Sequence, residues 1–439
     1  MRRRGIGARV AAAALAVFAC AGVATALVDA APVERSAQIA RQLEGSGDEA
    51  ITDVSPPPSV TAKGWLVFDV GANEAIAGDE AGTARPIASL AKLMTAVVVL
   101  DRIDLDDTVT IPRAVDTLPA DAARMDARPG ERWPARDLVR AMLVYSANDA
   151  ALALALHVTD GDLPAFVRLM NDEAAELGMS DSEFASPTGL DLAGAPSTST
   201  PIDLVTLAQA VLEQEVARAA MQERSITLDR PGGGAPVKLA NRNPLLGTYP
   251  GVDGIKTGFT DAAGYMLAVH HTDAETEGEL IVVTFASASE QARIADSRAL
   301  LGWARSLRTE VSVVEGGAAL GTIPVQRSSE QLPIFACDDL VVTARVGQQL
   351  VQEVVVPRSV APPVTEGDEV GELRVRVGTT QRDGDAPLPS TVPVCSGRSV
   401  ARRARWERAA DYASDWRGAW NSGIDEVEDA WSSLRKQSA

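Results

Sequence analysis

Histidine is scarce in this chain, and its scarcity limits the available chemistry. The 439 residues include three histidines, His157, His270 and His271. No cluster of His or Cys has the spacing of metal ligands, so a metallo-hydrolase is disfavoured and we expect neither a metal nor an organic cofactor. A Ser-His-Asp triad is disfavoured for the same reason, although three histidines would be enough to supply one.

Cysteine is equally rare, at positions Cys20, Cys337 and Cys395. Cys20 falls inside an apolar N-terminal run, so a processed protein would keep the other two. One disulfide between Cys337 and Cys395 would form in an oxidising compartment. Two separate reduced thiols are the equally weighted alternative.

Positive charge is in the minority, since 41 Lys and Arg against 60 Asp and Glu give a net charge of −19. Nucleic-acid binding needs clustered Lys and Arg that displace counterions, so the balance argues against a nucleic-acid partner. The acidic excess indicates a solvated surface and identifies no partner by itself. Hydrophobic residues make up 46% of the chain, and its length suits two domains plus appendages.

The first 30 residues are typical of an export signal. Four arginines within the first nine positions precede an uncharged run from Val10 to Val28, and Ala24–Ala26 offers small residues for cleavage. The run is long enough to span a bilayer, so an uncleaved anchor is the alternative. We therefore predict a signal peptide or signal anchor over 1–30 and an exported, extracytoplasmic protein.

Composition divides the rest of the chain. Residues 31–60 are polar and end in a proline-rich stretch, which predicts a linker. Residues 61–306 mix strand and helix patterns, and the short Val-rich runs of 307–397 predict a small β-rich domain.

The residue pattern within 61–306 predicts individual helices and strands. We predict a hairpin from Trp65 to Glu74 and a helix after Pro86, with Leu90, Leu93, Met94 and Val97 on one face. Further elements are predicted in chain order: a helix before Ser146, a helix starting at Thr200-Pro201, strands at Tyr265–His271 and Leu280–Phe285, and a helix at Asp296–Leu307.

The tail over 398–439 carries an apolar stripe. Four of the seven tryptophans (Trp406, Trp416, Trp420 and Trp431) recur there at helical steps, which predicts an amphipathic C-terminal helix. Indole rings favour a membrane interface, so the stripe predicts docking on a membrane surface. The acidic cluster at Asp425–Asp429 would be repelled by anionic headgroups, and docking on protein is the alternative.

Three short segments carry the candidate chemistry: Ser89-Leu90-Ala91-Lys92, Ser146-Ala147-Asn148 and Lys256-Thr257-Gly258. A serine hydroxyl is a weak nucleophile and needs a neighbouring base. Ser89 and Lys92 are three residues apart, so they share one face of a helix. Lysine can act as a base only when burial or a second cation lowers its pKa, and Lys256 would be that cation.

Each segment alone is a weak signal. Ser433-Leu434-Arg435-Lys436 repeats the first spacing without its context, and a lone Ser89 would usually be interpreted as a helix cap. However, two of the five lysines fall in the three segments, which follow one another in the required order. The set is therefore much more specific than its parts.

The surrounding residues point to a family. Pro86–Ala96 closely resembles the active-site segment of the low-molecular-mass penicillin-binding proteins, the serine D-alanyl-D-alanine carboxypeptidases. The segments Arg128–Glu131, Ser146–Ala150, Ser186–Asp191 and Asp253–Thr260 resemble their later motifs. The resemblance covers about 61–306, and 311–395 resembles the β-rich domain that follows in one branch of the family.

This resemblance implies the fold class and the partners. We expect an α+β catalytic domain of the serine β-lactamase/DD-peptidase type, with helices flanking an antiparallel sheet, followed by a small all-β domain and the amphipathic helix. The implied activity is removal of the terminal D-Ala from peptidoglycan stem pentapeptides. Stem peptides are then the partners, β-lactams are covalent inhibitors, and the cell envelope is the expected location.

The resemblance also implies catalytic roles. Ser89 would attack the carbonyl of the penultimate D-Ala while Lys92 takes its proton. Ser146, bridged to Lys256, would return a proton to the leaving D-Ala.

Five further residues would bind the substrate. Asn148 would hold the peptide backbone, and Thr257 with Arg293 would bind the terminal carboxylate. The backbone N–H of Phe259 and that of the nucleophile would form the oxyanion hole. Gly258 would let the substrate lie as an added strand without side-chain bulk. The alternative for Arg293 is a solvated arginine at a helix start.

Two alternative functions are weighed against this one. A class A β-lactamase shares the trio but needs a separate Glu to activate water, and no Glu-x-x-x-Asn segment lies between Asn148 and Lys256. A cell-wall scaffold that has lost turnover would keep the fold, but the intact trio argues against it.

Overall fold

The computed structural model describes residues 55–191, 195–273, 278–345, 350–377 and 390–402. The predicted signal segment, most of the predicted linker, Cys20, the tryptophan stripe and Ser433 lie outside the described residues. The export signal, the linker and the C-terminal helix therefore stay predictions.

Helices and strands are mixed up to residue 306, and the described residues after it form strands and connecting loops. The helices are α1 (Ala91–Leu100), α2 (Ala135–Val144), α3 (Asn148–Val158), α4 (Leu163–Glu176), α5 (Pro201–Glu213), α6 (Glu215–Gln222) and α7 (Glu290–Ser306), with 3-10 turns at Ala88–Leu90 and Arg113–Thr117. The strands among them are β1 (Gly64–Asp69), β2 (Glu74–Asp79), β3 (Arg85–Pro86), β4 (Thr108–Thr110), β5 (Arg132–Pro134), β6 (Thr198–Ser199), β7 (Ser225–Leu228), β8 (Val237–Ala240), β9 (Val252–Thr260), β10 (Gly264–Thr272) and β11 (Glu279–Ser287). The later strands are β12 (Arg308–Val314), β13 (Ala319–Pro324), β14 (Gln331–Ala336), β15 (Leu340–Arg345), β16 (Leu350–Val355), β17 (Glu369–Val377) and β18 (Ser390–Ser396).

The main sheet has the strand order β2-β1-β11-β10-β9, and its paired strands are antiparallel. Alternate residues of β1 enter two different cores. Leu66 and Phe68 join the large core with the helices α1 to α6, whereas Trp65 and Val67 join a smaller core with Leu300 of α7. Side chains of a strand alternate between faces, so the sheet is covered on both sides and β9 forms one edge.

The helix predicted after Pro86 differs from the expectation in its burial. It begins with the 3-10 turn Ala88–Leu90, and in α1 every residue from Ala91 to Val99 is buried, not one face only. Such a helix lies inside a core, since no side is left for solvent. Within the described ranges, no single helix combines the length and apolar composition of a membrane span, although α3 and α4 meet these two criteria jointly across a 91° bend.

The β-rich region has its own sheet and core. Its strand order is β13-β14-β18-β17-β16, with β12 paired to β15, and Ile334, Leu373 and Val394 are central to its core. Ion pairs join this region to the first two strands, including one of 3.0 Å between Arg308 and Asp69. The predicted fold class is confirmed for the two sheet-containing regions, while the C-terminal helix stays a prediction.

Cys337 and Cys395 form a disulfide across a sequence separation of 58 residues. The bond resolves the choice that the sequence left open. Replacing both cysteines by Ala should destabilise the β-rich region by about 4 kcal/mol, because the unfolded chain regains the entropy of an open loop. Calorimetry should detect a lower unfolding temperature for this region and an unchanged one for the part built on β1 to β11. Reductant should lower the transition of the wild type but not of the variant, and equal transitions without reductant would contradict this prediction.

Candidate active site

The candidate nucleophile lies at the start of α1. Ser89 is the middle residue of the 3-10 turn, and Lys92 is in the first turn of the helix that follows directly. The Nζ atom of Lys92 lies 2.9 Å from the Oγ atom of Ser89, within hydrogen-bond distance. Lys92 is fully buried. The three-residue spacing therefore brings the two groups together as predicted.

A neighbouring loop completes the surroundings of Lys92. Its Nζ also donates to the carbonyl oxygen of Thr188, at 2.5 Å. This loop packs closely against the turn of Ser89 at Gly189. The φ of Gly189 is +69°, and a Cβ at this position would lie 1.8 Å from the carbonyl oxygen of Ala88. Glycine is required there by both the conformation and the close approach. The resemblance gave the segment Ser186–Asp191 no role. In the structure it supplies a hydrogen-bond acceptor for Lys92 and packs against the turn that carries Ser89.

Two buried lysines have strongly perturbed titration. Burial, followed by the charges of Lys256 and Arg242, holds the pKa of Lys92 well below its ordinary range. Burial, followed by the charges of Arg242 and Arg293, lowers the pKa of Lys256 to about 7. Burial disfavours an ammonium ion, and nearby cations disfavour it further. A neutral amine beside Ser89 is what a general base requires.

The loop between α2 and α3 brings in the second motif. Ser146 is buried with a φ of +67°, a strained conformation for a residue with a side chain. The amide nitrogen of Asn148 donates to the carbonyl oxygen of Ala123 at 2.9 Å, while its buried Oδ1 has no hydrogen-bond partner in the described residues. Asp149 accepts backbone N–H groups two and four residues beyond Ala123, at 3.1 and 3.0 Å. These bonds fasten the 123–127 segment beside the motif.

The third motif lies on the edge strand β9, which divides its residues between the two cores. Lys256 and Gly258 are paired with β10 residues of the large core, on the side of α1. Thr257 is paired with Leu267, which belongs to the core of α7. Directly opposed residues share a face of the sheet. Lys256 therefore faces Lys92, and Thr257 lies on the side of α7.

The structure gives Gly258 a different reason from the predicted one. A Cβ at this position would lie 3.0 Å from the carbonyl oxygen of Ile87 and 3.4 Å from side-chain atoms of Ala88 and Leu90. The missing side chain lets β9 pack on the nucleophile's turn. Intramolecular packing thus accounts for this glycine without a substrate.

Helix α7 begins at Glu290, six residues before the predicted start at Asp296. Arg293 therefore lies in its first turn and is 4% exposed, so the alternative of a solvated arginine is wrong. Its guanidinium group lies 3.2 Å from Glu290, 3.4 Å from the carbonyl oxygen of Met266 and 5.8 Å from the ring centre of Tyr265. Burial lowers the pKa of this guanidinium.

Phe259 lies at the exposed side of the contacts between Arg293 and Tyr265. Its side chain is 48% exposed and stacks on Tyr265, with 4.5 Å between ring centres. The Tyr265 ring thus contacts both Phe259 and Arg293. The oxyanion role predicted for the backbone N–H of Phe259 stays a prediction.

Sequence reasoning missed Arg242. Its guanidinium lies 5.6 Å from the ring centre of Tyr145, and its backbone N–H donates to Val144 at 3.1 Å. Its charge contributes to lowering the pKa of both lysines. No motif spacing could have found it, because it reaches the site from a loop without a pattern of its own.

The structure thus joins most of the predicted residues. Contacts or charge interactions connect Ser89, Lys92, Lys256, Gly258 and Arg293. Within the described ranges, no hydrogen bond links Ser146 to Lys256, so the predicted bridge is not formed here. In the same ranges, no three His, Cys, Asp or Glu side chains are grouped as metal ligands.

Comparison with known proteins agrees with this geometry. Residues 51–289 match the peptidase S11 family model, described as D-alanyl-D-alanine carboxypeptidase. The D-alanyl-D-alanine carboxypeptidase DacD of Salmonella typhimurium is 28% identical over 379 residues, covering 83% of this chain and 93% of that protein. The crystal structure of DacD from Francisella tularensis has a TM-score of 0.56 at 23% identity and covers 82% of this chain and 98% of its own, which supports the fold. Penicillin-binding protein D2 of Listeria monocytogenes in its cefotaxime-bound form has a TM-score of 0.51 at 31% identity, covering 57% of this chain and 99% of that one.

The family match extends over more than half of the chain and includes the three motif segments. Both structural relatives have the fold in which these segments meet. The chain therefore belongs to the peptidase S11 family of D-alanyl-D-alanine carboxypeptidases.

Proposed function

We propose that this serine D-alanyl-D-alanine carboxypeptidase releases the terminal D-Ala of peptidoglycan stem peptides through an acyl-enzyme on Ser89. The observation that carries the proposal is the 2.9 Å contact between Ser89 Oγ and a fully buried Lys92. The lowered pKa of Lys92 favours the neutral amine, which can accept the serine proton.

The reaction proceeds in two steps. As Ser89 Oγ bonds to the carbonyl carbon of the penultimate D-Ala, its proton passes to Lys92. The C–N bond then breaks, and the proton held by Lys92 is relayed to the amine of the leaving D-Ala, with Ser146 and Lys256 as the relay. In the second step Lys92 takes a proton from the attacking water, the ester bond to Ser89 breaks, and Ser89 Oγ regains that proton. The shortened peptide leaves as a carboxylic acid, which loses its proton to solvent.

Substrate binding rests on groups that have unused hydrogen-bonding capacity. The buried Oδ1 of Asn148 has no partner among the described residues and would accept a peptide N–H. Thr257 and the buried cation Arg293 would bind the terminal carboxylate. The same centre would be acylated by β-lactams, as the cefotaxime-bound relative suggests.

Neither alternative function has comparable support. The family match favours a carboxypeptidase over a β-lactamase. The buried lysine beside Ser89, whose pKa is lowered, favours an active enzyme over a scaffold, because burial of an unused amine would only cost stability.

Replacing Ser89 by Ala should abolish penicillin labelling and lower D-Ala release by at least about a thousandfold, because the nucleophile is lost. Gel fluorescence with a fluorescent penicillin and a D-Ala assay would measure both. Ser433→Ala is the matched control and should change neither. Retained labelling of Ser89→Ala would place the nucleophile elsewhere.

Replacing Lys256 by Ala should move the rising limb of the acylation rate to higher pH. Lys92 acts when neutral, and removal of the neighbouring charge raises its pKa, so a higher pH is needed to deprotonate it. The effect should be largest below about pH 7, where Lys256 is charged. Acylation rate constants would be measured from about pH 5 to about pH 10, a range that covers the titration of both lysines. Lys63→Ala, which removes an exposed lysine, is the control, and an unshifted limb in Lys256→Ala would refute the coupling.

We further propose that the chain is exported, with domains at 61–306 and 307–397, and that the tail over 398–439 docks on the membrane.

In a protein whose N-terminal segment has been removed, deletion from Arg402 onward should move the enzyme to the soluble fraction, because the indole-bearing stripe is lost. Hydrolysis of a small soluble peptide should continue, since no proposed site residue lies beyond Arg293. Cell fractionation and sedimentation with anionic vesicles at low salt would measure this. A full-length mature protein that does not sediment would favour docking on protein.

A further inference from the structure

A cationic cleft adjoins the Ser146 side of the candidate active site. It has a volume of about 470 Å³, and its lining includes Arg124, Arg128, Arg230 and Lys238 against the single carboxylate of Asp126. Such a concentration of positive charge runs counter to the chain as a whole, whose net charge is −19. Local charge of this kind attracts an anionic ligand.

Two lining residues are sequence neighbours of active-site groups. Its wall includes Tyr145, the residue directly before Ser146. Arg124 directly follows Ala123, whose carbonyl oxygen accepts the side-chain amide of Asn148. The cleft therefore begins one residue away, along the chain, from Ser146 and from the carbonyl oxygen that Asn148 contacts.

The four cations are held in different ways. Arg230 is fixed by an ion pair of 2.7 Å with Glu131, and Arg124 donates to backbone carbonyl groups while its buried Nε has no partner in the described residues. The side chains of Arg128 and Lys238 are exposed and make no hydrogen bond or ion pair within the same ranges. Two charges are thus structural, and two are available to a ligand.

Two glycines shape the rim of the cleft. Gly233 and Gly234 line it from the turn between β7 and β8, and both have positive φ values, of 87° and 131°. Glycine adopts such conformations without steric cost, so the backbone can approach a bound group closely.

We propose that this cleft binds a carboxylate carried by the acyl part of the substrate, upstream of the scissile bond. This inference rests on the proposed function, in which the terminal carboxylate is bound by Thr257 and Arg293. That group is on the leaving D-Ala, whereas the cleft adjoins Asn148, which would hold the retained peptide. Planar guanidinium groups match the geometry of a carboxylate, and an exposed lysine adds charge. The enzyme would thus prefer acidic stem peptides over amidated ones.

The test compares two soluble peptides that end in D-Ala-D-Ala and differ in one upstream group, a free carboxylate or its carboxamide. Wild-type kcat/KM should be about three- to tenfold higher for the carboxylate peptide, mainly through a lower KM, as expected for two solvent-exposed cations. The ratio should fall towards one in Arg128→Gln/Lys238→Gln. It should also fall in the wild type when salt rises from about 20 to about 200 mM, because salt screens exposed charges.

The matched control is Lys63→Gln/Arg358→Gln, which removes one exposed lysine and one exposed arginine outside the cleft. It should keep the wild-type ratio. A wild-type ratio of one, or a cleft variant that keeps the wild-type preference, would overturn the proposed subsite while D-Ala release continues. Loss of D-Ala release from both peptides in the wild type would instead refute the proposed function, and this inference with it.

Discussion

The arrangement of the active site depends on the burial of one lysine side chain. Lys92 is fully enclosed, and it donates to Ser89 Oγ and to the carbonyl oxygen of Thr188. An ammonium ion without a carboxylate partner is costly in such surroundings, so the neutral amine is favoured. The helix that carries Lys92 is buried on all sides, and Gly189 packs against the turn that precedes it. The fold thus lowers the pKa of the proposed base, mainly through desolvation.

The two-sided sheet then controls which groups reach this base. A shift of β9 by one residue would exchange its faces, moving Lys256 towards α7 and Thr257 towards α1. Both faces are packed against apolar cores, and this packing resists such a shift. Register therefore keeps the cation beside Lys92 and leaves Thr257 on the side of Arg293.

Electrostatics within the site oppose the charge of the whole chain. Arg242, Arg293 and Lys256 concentrate positive charge around the serine, although acidic residues dominate the sequence. Anionic substrates would be repelled by the net charge and attracted locally by this group. The cationic cleft extends the same field along the Asn148 side.

The sequence by itself determined the contact between Ser89 and Lys92, the order of the motifs, the hairpin from Trp65 and the helix capped by Thr200, because each follows from short-range spacing or local hydrogen bonding. Only the tertiary structure decided the burial of α1, the early start of α7 that encloses Arg293, the packing reason for Gly258 and the part played by Arg242. Those features arise between segments that are far apart in the chain. Desolvation and charge proximity depend on distances that residue spacing does not contain.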